Sequence, residues 1–162
     1  MHDSSMFAMS QVANLLQPVD PSERLKIVDI GSLDVNGCYK PLFAAHDYTG
    51  YDMAAGKNVD VVGTDLYHFP FANGEFDVAI SGQTIEHVAD IYAWIREVAR
   101  IVRVDGMVVI IAPNMFHEHR FPIDCWRIFP DGMSFLMKDI AGLELLKVWK
   151  HDINTIGLGR KI

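Results

Sequence analysis

Between Glu75 and Ala112 the sequence reads apolar strand, polar loop, amphipathic helix, apolar strand, and that order leaves few folds open. The run Glu75–Ser81 (EFDVAIS) is a short strand preceded by the turn residues Ala72-Asn73-Gly74. Asp90 stands at the N-cap of a helix in which Ile91, Trp94, Ile95, Val98, Ile101 and Val102 recur at helical spacing, with Asp105-Gly106 expected to end it. Met107–Ala112 (MVVIIA) carries no polar residue, as expected of a central strand covered on both faces. Strands joined through a helix pair in parallel by right-handed crossovers. The chain therefore predicts a doubly wound, mostly parallel α/β sheet, in which ligands bind beyond the carboxyl ends of the strands near the switch point.

The flanking segments extend this pattern. Leu25–Ile30 is a buried strand ending at Gly31, followed by the loop GSLDVNG and a short helix within Cys38–Ala45 with Pro41 in its first turn. Tyr48–Asp52 and Val59–Gly63 read as the next two strands, with barely room for a helix between them. Met133, Leu136, Met137 and Ile140 mark a helix closed by Gly142, and Leu143–Trp149 reads as a last, edge strand. The expected strand order is 3-2-1-4-5 with a short or incomplete C-terminal antiparallel part, the seventh strand being absent or very short. Such an open edge would need covering, which makes a homodimer an expectation. Residues 1–20 predict a helix flanking the sheet, capped by Ser4 or Ser5, with Phe7, Val12, Leu15 and Leu16 as its apolar stripe and Pro18 closing it. The whole span, 1–162, reads as one domain.

With 14 basic against 21 acidic residues, a net charge of −7 argues against nucleic acid or an anionic membrane as the main partner. Arg96, Arg100 and Arg103 read as a solvated helix face. Cys38 and Cys125 are far apart with no CxxC, so free thiols are expected. The first residues lack a basic stretch and the apolar runs are too short to span a bilayer, so a cytoplasmic chain is the expectation.

Two features at strand ends bear on chemistry. Gly31 lets the backbone turn and approach a ligand, and Gly37 suits a positive φ, although an ordinary strand-to-helix turn would use the same residues. Asp52, about 20 residues on, is placed as a nucleoside site places the carboxylate that accepts from ribose hydroxyls, or as a turn former. The chain lacks GxGxxG, which a pyrophosphate needs and a sulfonium cofactor does not. That tilts the reading away from a nicotinamide-dependent oxidoreductase.

VDIGSLDVNG, TGYDM, the run DLYHFPFANGEFDVAISGQTIEHV from Asp65, and REVARIVRVDGMVVIIAPN resemble, in order and spacing, the successive motifs of class I S-adenosylmethionine-dependent methyltransferases of the type 11 kind, from about Ile27 to Asn114. The resemblance implies S-adenosylmethionine as cofactor and methyl transfer to a small-molecule acceptor. It also implies roles by position. Asp29 would hold the loop or the amino group of the methionine part, with Gly31, Ser32 and Leu33 offering backbone contacts. Asp52 would bind the ribose, Met53 would lie on the adenine, Asp65 would accept from the adenine amino group and Leu66 would meet the ring. Ser81, Gly82 and Gln83 would line the methionine end. Leu33 and Val35 stand where the family commonly has glycine, which implies a wider loop, and the usual turn before the fifth strand is reduced to Val104-Asp105-Gly106.

Beyond the fifth strand, residues 113–127 carry His117, His119, Asp124 and several aromatics. His-x-His with no further ligand pattern is weak as a metal signature, so no metal is expected. The segment is expected to wall the acceptor pocket, with His117 or Asp124 available to take a proton; an ion pair of Asp124 with Arg127 or Arg120 is the competing role. His87, after the fourth strand, would lie beside the transferable methyl group or cap a helix. A non-catalytic, methyltransferase-like binding or assembly module is the rival of different class.

Overall fold

The protein is described by a computed structural model covering residues 3–16 and 22–162. Seven strands form one sheet: β1 (Lys26–Ile30), β2 (Asp47–Asp52), β3 (Val61–Val62), β4 (Phe76–Gly82), β5 (Val102–Pro113), β6 (Leu143–His151) and β7 (Asn154–Lys161). Their order is β3-β2-β1-β4-β5-β7-β6, with β7 antiparallel to both neighbours and the other pairs parallel. The predicted order of the first five is present. The expectation of a missing seventh strand is overturned, because β7 pairs from Asn154 to Lys161 along the whole of β6. With β7 on β5, the open edge that motivated the homodimer does not exist. The edge on that side, β6, carries Lys147 and Lys150 and a register shift between Leu145 and Lys147, both of which discourage edge-to-edge pairing.

The two-residue alternation of β5 explains the two layers. Val108, Ile110 and Ala112 join one buried cluster, under α2 (Ile91–Ile101), through Trp94, Ile95, Val98 and Ile101. Val109 and Ile111 join the other, under α1 (Asp3–Leu15), through Ala8, Met9, Val12 and Ala13. Asp90 caps α2 by accepting from the amides of Tyr92 and Ala93 at 3.1 and 3.0 Å, a contribution of about 1 kcal/mol. The helix ends at Ile101, earlier than expected, and Val102 is already extended. Asp105-Gly106 instead lies in an irregular stretch of β5, between Val102 opposite Phe76 and Met107 opposite Val78.

Three further expectations need correction. In α1 the stripe is Ala8, Met9, Val12 and Ala13, with Leu16 buried just beyond the helix, while Phe7 and Leu15 are exposed. Ser4 and Ser5 are inside the helix, with Ser5 hydrogen-bonded to the Tyr39 hydroxyl; Pro18 lies outside the described residues. Arg96 and Arg103 are exposed as expected, and Arg100 is the exception, being partly buried. Arg100 pairs with Glu97 and donates to the carbonyls of Phe69 and Phe71, pinning that loop to α2, and Arg103 pairs with Asp77 at 2.6 Å.

The helix expected near Met133 is α3 (Pro130–Phe135), continued as a wider π turn over Leu136–Ile140 and stopped at Gly142, where φ is +68°. Residues 53–60 join β2 to β3 without a helix, and the helix expected within 38–45 is one 3-10 turn, Lys40–Phe43.

Candidate functional site

The loop after β1 is held in shape mainly by backbone bonds. Gly31 sits at φ +85°, and its N–H and that of Ser32 both donate to the Tyr51 carbonyl. The Ser32 hydroxyl donates to the Asn58 carbonyl, and Asn58 returns a bond from its side-chain amide to the Ser32 carbonyl, each at 2.9 Å. Asp52, at the end of β2, accepts from the Leu33 amide through one oxygen, at 3.1 Å, and from the Ala54 amide through the other, at 3.0 Å. Each carboxylate oxygen keeps a second acceptor site. The carboxylate thus ties two loops together while facing the cavity between them.

That cavity measures about 620 Å³, in the range of small-molecule sites. Of the residues expected at a cofactor, Gly31, Leu33, Asp52, Met53, Leu66, Gly82 and Gln83 line it. Asp29, Ser32 and Ser81 lie buried behind it, Ser81 donating to the Ile30 carbonyl at 2.6 Å. The Asp65 carboxylate is also outside the lining and accepts from the Tyr67 amide, although its neighbour Leu66 is inside. Asp52 and the bend at Gly31 converge as expected; Asp65 does not join them.

The other end of the cavity is walled by Val88, Trp94, Phe121, Pro122 and Ile123, with His87, His119 and Arg120 as its polar groups. His87 is therefore the member of the predicted catalytic set that faces the cavity. His117 is exposed with its ring against Phe116, and Asp124 forms the expected ion pair with Arg127, at 2.6 Å. That guanidinium holds the Asp124 carboxyl well below the usual carboxylate range. The segment is fixed to the sheet side by Cys125 N–H donating to the Glu86 carbonyl and by the Trp126 indole donating to the Val88 carbonyl.

Sequence reasoning placed Glu86 beside His87 after the fourth strand but missed its burial, and it missed His119 as a cavity group, Thr84 and Trp94. Glu86 is fully buried, and neither carboxylate oxygen meets a well-formed hydrogen bond among the described residues, its own amide giving partial relief. Burial pushes its pKa up to about 8. Asp29 is raised to about 7, chiefly by burial, opposed by a 2.5 Å bond from the Tyr48 hydroxyl. A single acidic residue within a strand, as Asp29, or in the loop after one, as Glu86, gives no signal of such burial; only the fold does.

Both raised carboxyls bind their protons more tightly folded than unfolded. Their contribution to stability is full below about pH 4 and is lost as pH rises through about 7 and 8. His87, lowered mainly by burial, works in the opposite sense near its ordinary range. Asp29→Asn keeps an acceptor for Tyr48 and removes the titration. Urea unfolding at pH 5 and pH 8 should show the variant gaining on the wild type at the higher pH by a few kcal/mol, at about 1.4 kcal/mol per unit. Parallel pH profiles would refute this.

Comparison with known proteins bears on the same surfaces. Residues 36–110 match the methyltransferase domain family. The chain is 27% identical over 116 residues to a chloroplastic 2-methyl-6-phytyl-1,4-hydroquinone methyltransferase of Oryza sativa subsp. japonica, covering 66% of this chain and 33% of that protein. It is 34% identical over 85 residues to a Mycobacterium tuberculosis protein named probable S-adenosylmethionine-dependent methyltransferase, covering 50% of this chain and 31% of that one. The chain thus spans about a third of these relatives. Its fold matches that of the Burkholderia thailandensis 1,6-didemethyltoxoflavin-N1-methyltransferase, solved with bound 1,6-didemethyltoxoflavin and S-adenosylhomocysteine. The TM-score is 0.74 at 14% identity, covering 98% of this chain and 79% of that one.

Proposed function

We propose that this chain, whose residues 36–110 match the methyltransferase domain family, is a class I S-adenosylmethionine-dependent methyltransferase of the type 11 kind that binds S-adenosylmethionine at the Gly31–Asp52 end of the cavity and methylates a small, largely apolar acceptor at the other. The observation that carries this reading is the two-ended cavity: a carboxylate and a glycine bend at one end, apolar walls with two imidazoles at the other. The residues fit the cofactor. Asp52 has acceptor sites left for ribose hydroxyls, Met53, Leu66 and Phe69 supply an apolar surface for a purine, and no phosphate cradle is required.

When bound, S-adenosylmethionine supplies a methyl group on a positively charged sulfur, open to displacement from the far side. What this chain contributes is position. Thr84 and Gln83 follow β4 at the junction of the two ends, and the Gln83 amide is itself fixed by donating to Asn154 at 2.8 Å. Holding both reactants in line is worth on the order of 7–11 kcal/mol. Phe121, Pro122 and Ile123 would exclude water from the acceptor. The relatives that act on a hydroquinone support a hydroxylated aromatic ring as the acceptor class.

Calorimetry of the purified chain with S-adenosylhomocysteine should show one site, and a parallel titration with NADH should show none. Transfer of labelled methyl from S-adenosylmethionine to a substituted hydroquinone then tests the acceptor class. Binding of NADH in place of S-adenosylhomocysteine would overturn the cofactor, and labelling of no phenolic acceptor would overturn the acceptor class alone.

A further inference from the structure

At the acceptor end two imidazoles turn ring nitrogens toward one oxygen of a buried carboxyl group. His87 turns its Nδ1 to the Ile123 carbonyl at 2.6 Å, and since a carbonyl only accepts, the ring proton is on Nδ1. His119 turns its Nδ1 toward the His117 carbonyl, at 3.2 Å, and the Asp124 carboxylate, at 3.4 Å, which are again acceptors. Both Nε2 atoms are thereby left bare. They face the same oxygen, Oε1 of Glu86, at 3.8 Å from His87 and 4.0 Å from His119.

Glu86 is wholly buried, and that oxygen meets no well-formed hydrogen bond among the described residues. A buried carboxyl group without a well-formed hydrogen bond, with two imidazole nitrogens aimed at one of its oxygens, is a donor set suited to a cation.

We infer that Glu86, His87 and His119 form a site for a divalent transition-metal ion. All three ligand atoms lie within 4.8 Å of one another. Bonds of about 2.0–2.1 Å put ligand atoms about 3.3 Å apart in a tetrahedral shell, so closing the site shortens the gaps between ligand atoms by about 0.5 to 1.5 Å. Two imidazoles and a carboxylate suit zinc, iron or cobalt in the divalent state.

The surroundings match what such ligands require. Each histidine is oriented through Nδ1 by a backbone carbonyl or carboxylate, and Asp124 is in turn fixed by Arg127. His87 and His119 line the cavity, so the open coordination positions face it. If the acceptor binds there as proposed above, its hydroxyl oxygen is the ligand that completes the shell. Binding of the ion itself does not depend on that reading.

The test uses the chain stripped with a chelator and titrated with Co²⁺ and, by calorimetry, with Zn²⁺. The expected result is one ion per chain, with visible d–d absorption of the cobalt form and weakening of at least about tenfold in Glu86→Gln and in His119→Ala, the scale on which metal sites respond to lost support. His119 is partly exposed, so its variant decides the matter should Glu86→Gln fail to fold. His117→Ala, two residues away on the exposed side, should leave affinity unchanged.

The inference is overturned by absence of stoichiometric binding, by affinity unaltered in His119→Ala, or by an equal loss in His117→Ala, which would place the ion on the exposed loop. Calorimetry with S-adenosylhomocysteine on the same samples separates this outcome from failure of the cofactor reading.

Discussion

Asp52→Ala is expected to weaken S-adenosylhomocysteine binding by at least about a hundredfold, with Asp52→Asn intermediate. Hydrogen bonds to a charged acceptor are worth about 1.5–3 kcal/mol each, and a ribose offers two hydroxyls to the carboxylate. The structure adds a second source of loss. The same oxygens hold the Leu33 and Ala54 amides, so alanine also frees the loop after β1 and the turn after β2. The asparagine oxygen can keep one of those bonds. Calorimetry on the three proteins, with thermal melting beside it, checks this. Unchanged affinity in Asp52→Ala would remove Asp52 from the cofactor site. A lowered melting temperature at full affinity would leave it a role in the loops alone.

Gly31→Ala should cost more than any other small change at the site. A Cβ there would lie 2.0 Å from Oγ1 and 2.7 Å from Cγ2 of Thr84, on a backbone at φ +85°. Left-handed backbone costs an ordinary residue about 1–3 kcal/mol and overpacking a similar amount, so a loss of about 2–6 kcal/mol is expected, together with loss of cofactor binding. Adding Thr84→Ala should restore roughly the part due to collision and none of the part due to φ, a coupling that a double-mutant cycle in urea reads directly. Full stability of the single variant would sink the argument.

The parts of the fold that could be read in advance are those where side-chain period and burial agree. β5 and α2 bury alternating and helically spaced residues, and both were visible as patterns in the chain. β7 was not visible, for a physical reason. Its Gly157 and Gly159 leave gaps that Met133 and Met137 fill from the helix above, so the apolar surface of that strand is supplied by residues distant in sequence. At the site, Asp52 and Gly31 could be placed because the strand ends place them.

Residues 115–127 show the opposite case. His117 and His119 differ by two positions, and only the path of the loop, fixed by Trp126, Cys125 and Arg127, decides which one faces the cavity. The same holds at Asp65, whose carboxylate accepts from the Tyr67 amide while its neighbour Leu66 lines the cavity.

The insertion of β7 between β5 and β6 has a consequence for synthesis on the ribosome. β6 emerges first yet has no partner until β7 follows it, so β5 waits with an unpaired border through the intervening translation. A nascent chain stalled before Asn154 would expose that apolar border to other chains, and slowing translation across residues 143–154 should raise the yield of aggregate more than slowing it anywhere upstream.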